Sequence, residues 1–133
     1  MRDEYNEDHW GEPETELLLS HRFAAYCLDR AEGKNLIYDV HVNWGCNTIC
    51  MKVIDDPDGV MEKWLNDFKS ESKPFVIDLY DCYGNVVVRK LFRDAQVGSM
   101  EQMVNHTSNV PLHFVVVVNY STYEREKYPR RQA

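Results

Sequence analysis

Hydrophobic and polar positions alternate in two different periods along this chain of 133 residues. Between Asn35 and Trp44, the residues Leu36, Tyr38, Val40, Val42 and Trp44 alternate with Asp39, His41 and Asn43, which predicts a half-buried strand. Gly45-Cys46-Asn47 turns the chain. Thr48 to Ile54 then returns with Ile49, Met51 and Val53 on one face, completing a hairpin. The period changes after the turn and cap signal Asp55-Asp56-Pro57-Asp58-Gly59. Met61, Trp64, Leu65 and Phe68 are spaced i, i+3, i+4, i+7, so Val60 to Lys69 reads as an amphipathic helix covering one face of a sheet. Phe75 to Tyr80 alternates again, Asp81 to Asn85 is rich in turn formers, and Val86 to Phe92 runs back as a second hairpin. Leu112 to Tyr120 contains four consecutive valines, a run that suggests burial on both faces.

The remaining segments are less regular. Thr15 to Glu32 is rich in Leu, Ala, Glu and Arg, with Thr15 placed to cap it and Gly33 placed to close it, so a helix is expected there. The competing reading makes Arg22 to Leu28 a strand. Residues 93 to 109 read as a polar corner holding a turn, a loop or a short strand around Ser99 to Val104. Three parts follow: an acidic arm at 1–14, a single β domain at 15–123 and a basic tail at 124–133. The expected fold is mainly β (α+β), an antiparallel sandwich or half-barrel of five to six strands with one packed helix and an N-terminal one.

Charge sharpens this picture at the two ends. The first sixteen residues hold Asp3, Glu4, Glu7, Asp8, Glu12, Glu14 and Glu16 against Arg2, and the last ten hold Arg125, Lys127, Arg130 and Arg131. Trp10 is the apolar exception in the arm and reads as an anchor for a neighbouring surface. The formal net charge of −7 argues against a dedicated nucleic-acid binder, whose footprint is a basic patch. The first residues have no apolar core region and no run approaches the ~20 apolar residues of a membrane helix, so a cytosolic product away from membranes is expected.

Candidate chemistry is sparse. His41, Cys46 and Cys50 lack the paired close spacing of a zinc site, and around Asp55, Asp56 and Asp58 the glutamate, Glu62, comes too early for the fixed offsets of a calcium loop, so helix capping explains these aspartates. Cys82 has no local signature of a nucleophile around it. No catalytic, cofactor or metal residues are expected, and an enzyme is not. An alternative is a monomeric small-molecule-binding β domain with Trp44 and Tyr38 lining a pocket.

The order of elements carries a resemblance. Ile54 to Phe68 is a strand end leading into a Trp-bearing helix, followed by a hairpin. The corner reads Phe92-Arg-Asp-Ala-Gln-Val97-Gly98-Ser-Met100, and the last strand ends Asn119-Tyr120-Ser-Thr-Tyr123-Glu124. From about Ile49 to Glu124 the chain resembles the tail-tube proteins of contractile-tailed bacteriophages. The resemblance implies a structural subunit of a phage tail, present in the virion and made in the host cytoplasm. Such subunits form hexameric rings that stack into, or cap, a tube through which DNA passes without specific binding, alongside other tail, baseplate or neck proteins. A tube of a bacterial contractile injection system is the alternative of the same fold. Acidic polar-face residues would keep DNA mobile in the lumen, and Asp39, Asp78 and Glu101 are the candidates. The assembly candidates are Trp10, Arg125, Lys127, Arg130 and Arg131, with the acidic arm of one ring meeting the basic tail of the next. Tube proteins also carry a long loop between their second and third strands, whereas this chain turns there in a few residues.

Overall fold

The computed structural model describes residues 22–30, 36–102, 104 and 109–128. Seven strands and one helix are described: β1 (Phe23–Cys27), β2 (Ile37–Asn43), β3 (Thr48–Ile54), α1 (Val60–Ser70), β4 (Lys73–Tyr80), β5 (Val86–Gln102), β6 (His113–Asn119) and β7 (Thr122–Lys127). All strand pairings are antiparallel, in the order β1-β4-β5-β6-β3-β2, with β7 added on β5. The sheet curls into a half-barrel whose end strands β1 and β2 approach each other.

The 17-residue strand β5 belongs to two half-sheets. Its first part lies between β4 and β7, and its second part pairs with β6. β6 and β7 follow β5 as a nearly continuous partner, broken only at Tyr120-Ser121. Opposite that break Asp94 takes a left-handed φ of 54°, and the Ser121 hydroxyl donates to the Asp94 carboxylate at 2.7 Å. The Ser121 amide donates to the Arg93 carbonyl at 3.0 Å. A further irregularity falls between Val97 and Ser99, where Gly98 lets the Asn119 side chain close on the backbone; a Cβ at Gly98 would meet Asn119 Nδ2 at 2.4 Å. Bends of this kind let one strand turn a corner between two sheets.

The concave faces of both half-sheets and one face of α1 form a single core. Ala25, Cys27, Phe75, Ile77 and Phe92 come from the first half-sheet; Ile49, Met51, Val53, Phe114, Val116 and Val118 come from the second. Met61, Trp64, Leu65 and Phe68 fill the space between them, and Phe68 stacks on Phe75 with ring centroids 5.8 Å apart. The helix is held at both ends. Asp56 accepts from the Met61 and Val60 amides at 2.8 and 3.1 Å, which holds its carboxyl below the usual range, and Gln96 donates to the Lys69 carbonyl at 2.8 Å.

Four expectations are corrected. Within the described part of the expected Thr15–Glu32 helix, Phe23–Cys27 is strand β1, in line with the competing reading of Arg22 to Leu28; Ala25 and Cys27 are small residues paired with Ile77 and Phe75, and this packing overrides helix propensity. The rest of that segment, and the arm with Trp10, lie outside the described residues. The polar corner is mostly strand, because β5 runs through it. The basic tail does not begin at Glu124: Glu124 to Lys127 continue β7, stabilised by the ladder to β5 more than by apolar side chains. A bulge between Ile37 and Asp39 also reverses the start of β2, burying Ile37 and leaving Tyr38 exposed.

The central position of α1 yields a stability prediction. Phe68→Ala should lose about 3–5 kcal/mol in chemical denaturation, because the fully buried ring, packed on Phe75 and Trp64, would leave a cavity in the shared core. Thiol labelling under native conditions should mark Cys46 and Cys82, which are exposed, and spare Cys27, whose thiol is pushed up to about 12 by burial. Mass spectrometry of the alkylated protein reads the difference.

Candidate assembly surface

Strand alternation sorts the charges of the first half-sheet into two faces. On its convex face Asp78 is opposite Arg89, and Leu91 and Arg89 are opposite Glu124 and Glu126. Asp78 is only 1% exposed. Arg89 grips it with a fork, Nε to Oδ1 at 2.8 Å and an Nη to Oδ2 at 3.1 Å, and the Tyr26 hydroxyl donates to the same carboxylate. Burial, then the bond to Asp78, push the Tyr26 phenol up to about 12. Tyr128 lies against the Arg89 guanidinium at 5.8 Å, and Arg93 pairs with Glu124 at 3.2 Å.

The concave face of the same half-sheet has the opposite character beyond the core. Lys90 is opposite Arg125, Val88 opposite Lys127 and Phe92 opposite Tyr123. The β2–β3 turn of the other half-sheet folds over this margin. Trp44 meets Tyr123 edge-on at 4.7 Å and stacks near Phe92 at 6.0 Å, and the Lys90 ammonium sits 5.6 Å from its ring centroid. Trp44 remains 50% exposed. Among the described residues no carboxylate pairs with Lys90, Arg125 or Lys127.

The second half-sheet presents a mixed convex face. Asp39 is opposite Lys52, which pairs with it at 3.8 Å; His41 is opposite Cys50; Val115 is opposite both Lys52 and Glu101. Asp39 and Glu101 are exposed and lie on opposite margins of this face, with the half-buried Val115 and Val117 between them. The valine run is therefore fully buried only on its core side.

Of the residues singled out from the sequence, the structure brings together Arg125 and Lys127 on one face, and Asp39 and Glu101 on another. Asp78 stands apart: its carboxylate is buried and committed to Arg89 and Tyr26, so it offers no free charge to a lumen. Trp10, Arg130 and Arg131 lie outside the described residues. Tyr38 packs edge-on against His113 at 5.9 Å, far from the setting of Trp44, so the two do not share a pocket. Among the described residues no group of three or more His, Cys, Asp or Glu is placed to hold a metal ion. Sequence reasoning missed Arg89 and Lys90. The signal was present: two adjacent cations in a valine-rich strand must point to opposite faces.

This bent sheet with a helix in its concavity is the fold of tail-tube and tube-cap proteins of contractile systems. The anti-feeding prophage tube-terminating cap matches it with a TM-score of 0.64 at 17% identity, over 86% of this chain and 93% of that one. A chain of the extended sheath–tube complex of an extracellular contractile injection system, PVC, gives 0.67 at 15% identity, over 86% and 95%. Hcp1 from Flavobacterium johnsoniae gives 0.59 at 12% identity, over 84% and 97%. No protein-family model and no curated protein matches the sequence.

The buried pair gives a test with a sign. Arg89→Leu should lose about 3–5 kcal/mol by leaving Asp78 buried and unpaired, and the double change with Asp78→Leu should recover much of it. Because the folded state holds the Tyr26 proton more tightly than the unfolded chain, that contribution is intact below pH 10 and is lost as pH rises towards 12. Tyr26→Phe should flatten this part of a stability–pH profile.

Proposed function

We propose that the chain is a structural, non-enzymatic subunit of a contractile tail, forming rings, hexameric by the resemblance, that stack into or cap the inner tube. The observation that carries this reading is the match of most of the chain to structures of tube and cap proteins, over 86% of its length for the tube-terminating cap. The filled interior supports it too, since Trp64, Leu65 and Phe68 occupy the space a ligand-binding half-barrel would keep open.

A short stack of rings at one end of the tube is favoured over the long repeating tube. The β2–β3 connection is only Trp44 to Asn47, and its Trp44 packs on the chain's own Phe92 and Tyr123 instead of projecting. A tube-terminating cap and a tube terminator are among the structural relatives. The convex face with Glu101, and with Asp39 paired to Lys52, is the candidate channel lining, where the exposed Glu101 carboxylate repels phosphate and leaves passing DNA mobile. A bacterial injection tube would use the same geometry for other cargo. No described helix is long and apolar enough to cross a membrane.

Negative-stain electron microscopy of the purified protein, with its mass in solution, tests the proposal. Closed rings of a few short layers are expected. Long uniform tubes would move the protein to the repeating position, and a monomer at high concentration that also fails to add to a preformed tube would end the ring reading.

A further inference from the structure

The concave margin of β5 and β7 is a surface that the ring reading alone does not use. It carries Lys90, Arg125 and Lys127 on one face beside a half-exposed Trp44. The three cations have no carboxylate partner among the described residues, although the chain as a whole is acidic. Burial and the neighbouring Arg125 hold the Lys90 ammonium below its usual value, so an incoming anion would relieve a repulsion already built into the sheet. The acidic stretch of the first sixteen residues has the complementary charge, with seven carboxylates against one arginine, and it contains an aromatic residue of its own, Trp10.

We infer that the Lys90–Arg125–Lys127 face with Trp44 is the docking surface for residues 1–16 of a second copy of this chain, which joins one ring to the next. The carboxylates of the arm neutralise the three cations, and Trp10 packs in the aromatic margin formed by Trp44 and Tyr123. This replaces the contact that a projecting β2–β3 loop would make, because here that turn is folded onto its own sheet. The site is a face of an ordered sheet, not a loose basic tail, and includes Lys90 from a different strand. The inference rests on the ring reading for its meaning but is tested separately from it.

Two preparations of the full chain, one isotopically heavy, are mixed and treated with a carbodiimide that joins amines to carboxylates at zero length. Heavy–light cross-links from Lys90 or Lys127 to Asp3, Glu4, Glu7 or Asp8 are expected, and their loss above about 0.5 M salt, where screening lengths fall well below 10 Å. Cross-links without rings would sink the ring reading and leave this contact standing. Rings without cross-links would do the reverse. As an independent arm, Lys90→Glu, Arg125→Glu and Lys127→Glu together should abolish stacking while thermal unfolding shows an intact fold. Adding Asp3→Lys, Glu4→Lys, Glu7→Lys and Asp8→Lys should restore it. Stacks unaffected by the triple reversal, or not restored by the second reversal, overturn the assignment. So does saturable binding of a short DNA duplex that the triple reversal removes while stacking persists.

Discussion

The architecture depends on one strand being asked to serve two sheets. β5 cannot pair with β4 and β7 at one end and with β6 at the other, while both concave faces meet the same helix, unless it bends. Two local devices satisfy that requirement. Asp94 adopts the left-handed region and is held there by Ser121, and Gly98 admits the Asn119 side chain against the backbone. Everything that gives the molecule its shape follows from this corner: the common core, the placement of α1, and the separation of a highly charged half-sheet from a mixed one.

Burial energetics and charge are divided between the halves accordingly. The core is apolar and spans both, so the half-sheets fold as one unit around Phe68 and its neighbours. The first half-sheet carries a buried ion pair on its convex side and, on its concave margin, cations with no carboxylate partner among the described residues. Breaking a pair like Asp78–Arg89, whose carboxylate is buried, costs more than the intact pair contributes net. Here the pair sets β4 against β5 in one register and aligns Tyr26 of β1 with them, and so helps to position the surface on the other side of the same strands.

Much of this was readable from the sequence. The alternation in β3 and β4, the valine run of β6 and the i, i+3, i+4, i+7 pattern of α1 placed those elements within a residue or two, because each presents an apolar face to the one core. Where the pattern failed, a different force governs. β1 is rich in helix formers, and its conformation is set by the room opposite Phe75 and Ile77. The second part of β5 and all of β7 are polar strands held by hydrogen-bond ladders, and local hydrophobicity does not report those. The candidate surface was half legible: Arg125 and Lys127 stand out as cations near the end of the chain, but only the register with β5 shows that Lys90 shares their face. Asp78 looked like a solvent-facing carboxylate because its position alternates with apolar residues, and nothing local announced the arginine eleven residues later that buries it.

The sequence of β7, Thr-Tyr-Glu-Arg-Glu-Lys, places acids towards Arg89 and Arg93 and bases beside Lys90. A strand that slipped by one position would exchange its two sides, setting Arg125 against the arginines of the convex face and a glutamate beside Lys90. The convex ladder would then turn from attractive to repulsive, the repulsion between Lys90 and Arg125 would be relieved, and the concave margin would lose its sign. The alternation and the register together therefore decide which face of the half-sheet carries the positive charge.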